Sequence, residues 1–294
     1  MVVAGNVEAR DEVAAILADV PHVLAGNVVP QIGVLAPGSA RDAIREVFLS
    51  HVIGGKHLSK RADFTSMVRG ATPDVVLTGV ELLALVVGEV VVVDVGGATT
   101  DVHSVVEVDP EQGATEGGLA RDVVAPTPVN RTVEGDLGMR WSAVSTVEEA
   151  GLHELATAAA RRRDEPGFLP LTEAEHDEDE AIARSAVALA VRRHAGRSRV
   201  VVSPEGRVVE RTGIDLREVA LVVGSGGVLR HGRPGVAERV LGPSVGEDGD
   251  WQLPAHARVV VDADYVLAAA GLLSAEHPDA ARRLVGRLAD TLTR

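Results

Sequence analysis

The chain has no cysteine among its 294 residues. Disulfides, thiolate nucleophiles and Cys-ligated metal or Fe–S centres are therefore excluded. Aromatic residues are almost as scarce, at 2%. With 46% hydrophobic residues overall, the core must come from Val, Leu and Ala, which favours α/β layers with closely packed helices. Lysine occurs only at Lys56 and Lys60, and the net charge is −14. That balance argues against nucleic acid or an anionic membrane as the main partner, and makes any phosphate site a local feature. Long apolar runs are missing too. "LLALVVGEVVVV", Leu82 to Val93, falls short of the roughly 20 residues a membrane span needs and is interrupted by Glu89. The opening "MVVAGNVEARDEV" carries early acids and no apolar signal-peptide core, so a soluble cytoplasmic protein is expected.

What is present alternates between strand and helix patterns. Val2 to Gly5 reads as a short buried strand and Glu8 to Val20 as an amphipathic helix. Ser39 to Ile53 has apolar residues at helical spacing, with Ser39 as the expected N-cap. Thr72 to Val87 opens on a Thr-Pro helix start. Val90 to Val108 reads as two strands about a tight turn, followed by loop signals from Asp109 to Gly118. Glu134 to Gly151 passes from glycines into a helix. "EAEHDEDE", Glu173 to Glu180, reads as a solvated acidic first turn of a helix that Gly196 ends. His176 among those acids offers a metal reading that a solvated charge run does not require. Val219 to His231 is a second buried strand with a glycine-rich turn, and Ala263 to Leu288 is one or two Ala-rich helices.

The chemistry concentrates in two turns. In "DVGGATTD" a buried strand ends in Asp94, where α/β proteins place ligands. Gly96 and Gly97 let backbone approach a ligand, and successive N–H groups there can form an anion nest. Thr99 and Thr100 add hydroxyls. Asp94 would not touch a phosphate directly; it would hold a hydrated Mg²⁺, which keeps most of its waters. Taken alone, this turn also reads as a plain hairpin. The second turn, Gly224-Ser225-Gly226-Gly227, alone reads as a strand–helix crossover.

Together the turns resemble the nucleotide site of the actin, Hsp70 and sugar-kinase superfamily. "DVGGATTD" is similar to its second phosphate motif, "VVGSGG" to its adenosine motif, and "EGDLG", Glu134 to Gly138, to the element between them. "DYVLAAAGLL" resembles the connecting helix, where Ala and Gly let two helices cross closely. Within the superfamily, "TVEGDLGMRWSA", "VGSGGVLRH" and "DADYVLAAAGLL" resemble the MutL (GlmL) family encoded beside adenosylcobalamin-dependent glutamate mutase, which is distinct from the mismatch-repair protein of that name. "VVAGNVEARDEV" and "NVVPQIGVLAPGSARDAIREVF" fit the same family in order.

The resemblance implies an actin-like ATPase (ribonuclease H-like) α/β fold. Residues 1–84 would form a partial first lobe and residues 85–294 the second, nucleotide-binding lobe, with a smaller inserted subdomain around 140–217. It implies ATP and Mg²⁺ as cofactors, with Asp94 as the catalytic and metal-holding residue. Gly96, Gly97, Ala98, Thr99, Thr100, Asp101, Gly135, Gly138, Gly224, Ser225, Gly226 and Gly227 would contact the nucleotide. The function implied is that of a chaperone or reactivating accessory protein serving a cobalamin-dependent mutase. The superfamily's first phosphate motif, an Asp-Gly-Ser/Thr-Thr hairpin, is not found before Asp94. The expectation is thus an N-terminally truncated lobe with impaired hydrolysis. Two other readings stay open: a hydantoinase- or oxoprolinase-A-like ATP-dependent enzyme, and a non-catalytic remnant of the fold. His103 and His231 read as packed or locally paired side chains, and Trp141 and Trp251 as core or interface residues.

Overall fold

The computed structural model describes residues 1–31, 34–48, 50, 72–108, 127–203 and 206–292. The end of the Ser39 to Ile53 helix and the loop Asp109 to Gly118 lie outside the described residues. The chain divides into two compact units, Met1–Thr72 with Asp109–Pro126, and Pro73–Val108 with Thr127–Arg294.

In the first unit, β1 (Val2–Val3) pairs in parallel with β2 (Val23–Leu24). The expected buried strand is only half-buried. A 3₁₀ turn at Val7–Ala9 leads into α1 (Arg10–Ile16), which buries no residue fully. In α2 (Gly38–Phe48) the buried positions are Ala40 and Ala43, while Ile44 and Phe48 are exposed. Ser39 is not the N-cap, because the helix already includes Gly38. Its hydroxyl instead accepts the Gly26 N–H at 2.8 Å and ties back the preceding loop.

The second unit is built on a five-stranded mixed sheet in the order β5-β4-β3-β8-β9. Its strands are β3 (Val90–Val95), β4 (Thr100–Val105), β5 (Val129–Glu134), β8 (Leu221–Ser225) and β9 (Arg258–Val261). A separate hairpin holds β6 (Arg197–Ser203) and β7 (Gly206–Thr212). The continuous valine run of β3 marks a strand covered on both faces, and Val90 to Val93 are all 0% exposed. Val91, Val93 and Val95 face a core shared with α4 (Ala143–Glu149), α5 (Ala156–Asp164), α6 (Glu173–His194) and α8 (Val236–Val240). Val90 and Val92 face α3 (Thr72–Val87), α9 (Val266–Ser274) and α10 (Pro278–Leu292). Each buried valine contributes about 1.5–3 kcal/mol, so alternate faces of one strand hold both helical layers. A short helix, α7 (Gly227–Arg230), follows β8.

Helices α3 and α9 cross backbone against backbone. A Cβ at Gly271 would lie 1.9 Å from the Val75 carbonyl oxygen, and one at Gly79 would lie 2.1 Å from that of Leu267. The Ala/Gly signature of "DYVLAAAGLL" is therefore a packing requirement.

The acidic run is not merely solvated. Thr172 and Glu175 form a capping box that starts α6 one residue before Ala174. Arg162, 0% exposed, bonds to Asp179, to Glu178 at 3.0 Å, and to the carbonyls of Ala158 and Glu175. Arg239 and Arg233 converge on Glu180 at 2.6 and 2.9 Å. Burying a guanidinium is costly unless its hydrogen-bonding capacity is met, and these carboxylates meet it. Gly196 also differs from expectation. It terminates no left-handed cap, since Ala195 closes α6 in an extended conformation. Gly196 is needed because a Cβ there would meet the Thr212 carbonyl oxygen at 2.1 Å.

Candidate functional site

The antiparallel β3–β4 hairpin ends in the first glycine turn, and the parallel β3–β8 pairing brings the second alongside it. Asp94 and Ser225 are register partners at the C-terminal ends of these strands. Both turns open on a cavity of about 810 Å³. Asp94, Gly96, Gly97, Gly226 and Gly227 line it. Leu169, Pro170, His176, Asp179 and Glu180, from the α5–α6 connection and the start of α6, line it too. Met139, Arg140, His231 and Tyr265 also contribute to the lining.

The glycines allow this proximity. Gly226 has φ +105°, and a Cβ on it would meet the Val95 carbonyl oxygen at 2.2 Å. The two turns thus touch through backbone alone. Gly227 has nothing within 4 Å of a would-be Cβ and faces open space. Gly97 packs under Trp141, whose ring would lie 2.8 Å from an added Cβ. Trp141 is 63% exposed, so it is a surface cover over the turn rather than a core residue. Trp251 is partly buried, with the Arg197 guanidinium 3.9 Å from its ring centroid.

The remaining expected nucleotide contacts are not among the residues that line the cavity. The Thr100 hydroxyl donates to the Leu137 carbonyl at 3.0 Å, and the Thr99 hydroxyl donates to Asp101 at 3.1 Å. The Gly96 N–H donates to the Thr99 carbonyl at 2.9 Å, so it closes the hairpin instead of facing a ligand. The Gly135 to Gly138 turn braces the first one. Met139 and Arg140 donate their N–H groups to the carbonyls of Gly96 and Gly97 at 3.0 and 2.7 Å. The Ser142 hydroxyl lies 2.6 Å from the Ala98 carbonyl and 3.2 Å from that of Gly135. A Cβ at Gly138 would collide with Gly97 and Ala98 backbone at 2.8 Å. Arg193 pins the outer side through Glu134, Asp136 and Glu149. Gly224 leaves room for Leu229 and Leu241 beneath β8.

Two carboxylates withdrawn from solvent, Asp94 and Asp101, mark the strand tips. Burial raises the pKa of Asp94, the Asp101 carboxylate and then Asp262 add to the rise, and a hydrogen bond with Ser225 opposes it. Burial likewise raises Asp101, against the Thr99 hydroxyl and Arg131. The Asp101 Oδ1 is buried without a hydrogen-bond partner. Asp262 is occupied: it accepts the N–H groups of Val266 and Leu267, each at 3.0 Å, and so holds the first turn of α9. Among the described residues no group of three or more His, Asp or Glu side chains could hold a metal ion, and His176 belongs to no such cluster. A single carboxylate suits only a cation that keeps most of its waters.

Several lining residues carried no sequence signal. Arg140 bonds through its side chain to the carbonyls of Met139 and Phe168 at 2.7 and 3.0 Å and lies 3.5 Å from Asp179. Tyr265 adopts a left-handed backbone, φ 53°, and stacks against Arg230 at 4.5 Å. The "DADY" stretch held the available hint, since an acid just before an apolar helix is a start signal.

The fold and cleft define a mixed α/β domain with two glycine turns at adjacent strand ends beside one cavity. The chain belongs to the MutL protein family, whose family model matches residues 1–288. It is similar to Protein MutL of Clostridium tetanomorphum, at 35% identity over 97% of this chain and 65% of that protein. The chain thus spans less than two thirds of the length of this curated relative. No helix among the described residues is long and apolar enough to cross a membrane.

Proposed function

We propose that the paired turns bind ATP with Mg²⁺, and that the chain acts as an accessory protein of the chaperone or reactivating kind for a cobalamin-dependent glutamate mutase. The nucleotide part is carried by one observation: Asp94 and Ser225 are register partners on parallel strands, so two glycine turns share one cavity. A volume of about 810 Å³ falls in the range of cofactor-sized sites. Burial and then Asp101 raise the pKa of Asp94, and a hydrated Mg²⁺ would favour its charged form. Gly227 leaves open space for a ligand beside the second turn. The mutase part rests on membership of the MutL family and on the motif resemblance. The accompanying expectation is a lobe of the actin-like ATPase fold.

Thermal unfolding with and without ATP–Mg²⁺ tests the site. Ligand at 100 times its Kd should stabilise the chain by about 2.7 kcal/mol and raise Tm. Asp94→Ala should abolish that rise. Equal Tm with and without ligand in the unaltered chain refutes the nucleotide reading. Co-purification of the chain with the two mutase subunits, lost on competition with excess unlabelled chain, tests the partner.

A further inference from the structure

The chain that leaves the second glycine turn lines the cavity through Gly226, Gly227, Val228, His231 and Gly232. Its own structure does little to hold it. Helix α7 has four residues and α8 has five, fewer than a helix needs to persist by itself in water. Leu229 and Val236 are anchored in the core, and no residue between them is buried. The N–H groups of His231, Gly232 and Val236 donate locally, to the carbonyls of Gly227, Leu229 and Arg233.

The Arg233 side chain reaches out of the segment. Its guanidinium meets Glu173 at 2.5 Å, Asp177 at 2.6 Å and Glu180 at 2.9 Å. These acids stand at positions i, i+4 and i+7 on one face of the first turns of α6. Helix α6 also gives His176, Asp179 and Glu180 to the cavity lining, so Arg233 joins two segments that both line it. Its three contacts differ in kind. Glu180 is 9% exposed and is held by Arg239 as well, whereas Glu173 and Asp177 are 84% and 70% exposed. Salt screens the exposed pairs and leaves the Glu180 contact largely intact.

We propose that Arg233 is a strap that closes the chain after the second glycine turn onto α6, with Glu180 as its fixed end and Glu173 and Asp177 as salt-sensitive catches. Closed, it keeps His231 and Gly232 in the cavity lining. Released, it frees the segment from Arg230 to Gly235 and lets ligand enter and leave. The strap itself needs no ligand; its part in ligand exchange rests on the nucleotide reading above.

Hydrogen exchange of the unliganded chain, read over residues 230–236, tests the strap. Raising NaCl from about 50 mM to about 500 mM should speed exchange there about two- to fivefold. Arg233→Ala should speed it about tenfold at low salt and remove most of the salt dependence. Arg233→Lys, which keeps the charge and loses the fork, should fall between. Arg163→Ala, which removes an exposed arginine from an exposed pair, should match the unaltered chain. Unchanged exchange in Arg233→Ala, or an increase shared equally by β3 and β8, overturns the strap. In stopped-flow mixing, Mg–ATP should both associate with and dissociate from Arg233→Ala faster than from the unaltered chain. Equal rates alongside faster local exchange overturn its part in ligand exchange. If the unaltered chain does not bind Mg–ATP, the nucleotide reading falls, and the exchange result still decides the strap.

Discussion

Acid should unfold this protein through two histidines that the cavity does not use. His103 on β4 is 1% exposed, and its Nδ1 has no hydrogen-bond partner. His194, at the end of α6, is 4% exposed; its Nε2 meets the Ser104 hydroxyl at 2.8 Å, and its Nδ1 meets the Thr132 hydroxyl. Burial, followed by the charge of Arg131, lowers His103 from 6.5 to about 4. Burial, followed by His103 itself, lowers His194 from 6.5 to about 4. Well above pH 6.5 both rings are neutral in folded and unfolded chains, and they contribute no pH dependence. As pH falls below 6.5 the unfolded chain takes up protons that the folded chain refuses until about 4, so stability is lost across that window. At pH 5 the loss is about 2 kcal/mol per ring, and below pH 4 about 3. Even one such loss is a large share of the ~5–15 kcal/mol typical of a domain. Asp94 and Asp101 act in the opposite sense, because their raised pKa values let the folded state gain protons first. Urea unfolding at pH 7.5 and pH 5 measures the net change. His194→Gln, which keeps hydrogen-bonding groups near Ser104 and Thr132, and His103→Gln should each reduce the drop by about 2 kcal/mol. An identical drop in the unaltered chain and the double variant would refute the argument.

Two further tests concern packing and charge. Gly226→Ala forces a Cβ to 2.2 Å from the Val95 carbonyl oxygen at φ +105°, and should cost about 3 kcal/mol in urea unfolding. Gly227→Ala, with nothing within 4 Å, should leave unligated Tm unchanged. Arg162→Ala should destabilise by about 3–5 kcal/mol because it leaves Asp179 buried without its main partner. Arg163→Ala, next in sequence but exposed and paired with its exposed neighbour Asp164, should produce no measurable shift in Tm.

Much of the sheet was legible in the sequence. The valines of β3 and the apolar end of β8 declared buried strands, because a strand covered on both faces has no polar alternation to obscure it. The glycines of both turns were legible as places of close backbone approach. The role of each glycine was not. Gly226 and Gly138 serve contacts between turns, whereas Gly227 serves open space, and sequence spacing cannot separate these. The acidic run from Glu173 to Glu180 looked solvated because its partners Arg162, Arg233 and Arg239 come from other elements. Thr100 looked like a ligand hydroxyl until its distance to the Leu137 carbonyl was known.

The sequence by itself determined the valine-rich core, the exclusion of cysteine chemistry, the ordered motifs and the family to which they belong. Those properties are local or compositional, so they survive in a one-dimensional string. Only the tertiary structure decided which site residues line the cavity, that Leu169 and Pro170 line it together with Asp94, and that Arg140 is already committed. These depend on residues far apart in the chain meeting at one sheet edge. A parallel β3–β8 pairing brings them there, with β4, β5, α4, α5, α6 and the β6–β7 hairpin lying between its strands in the described chain.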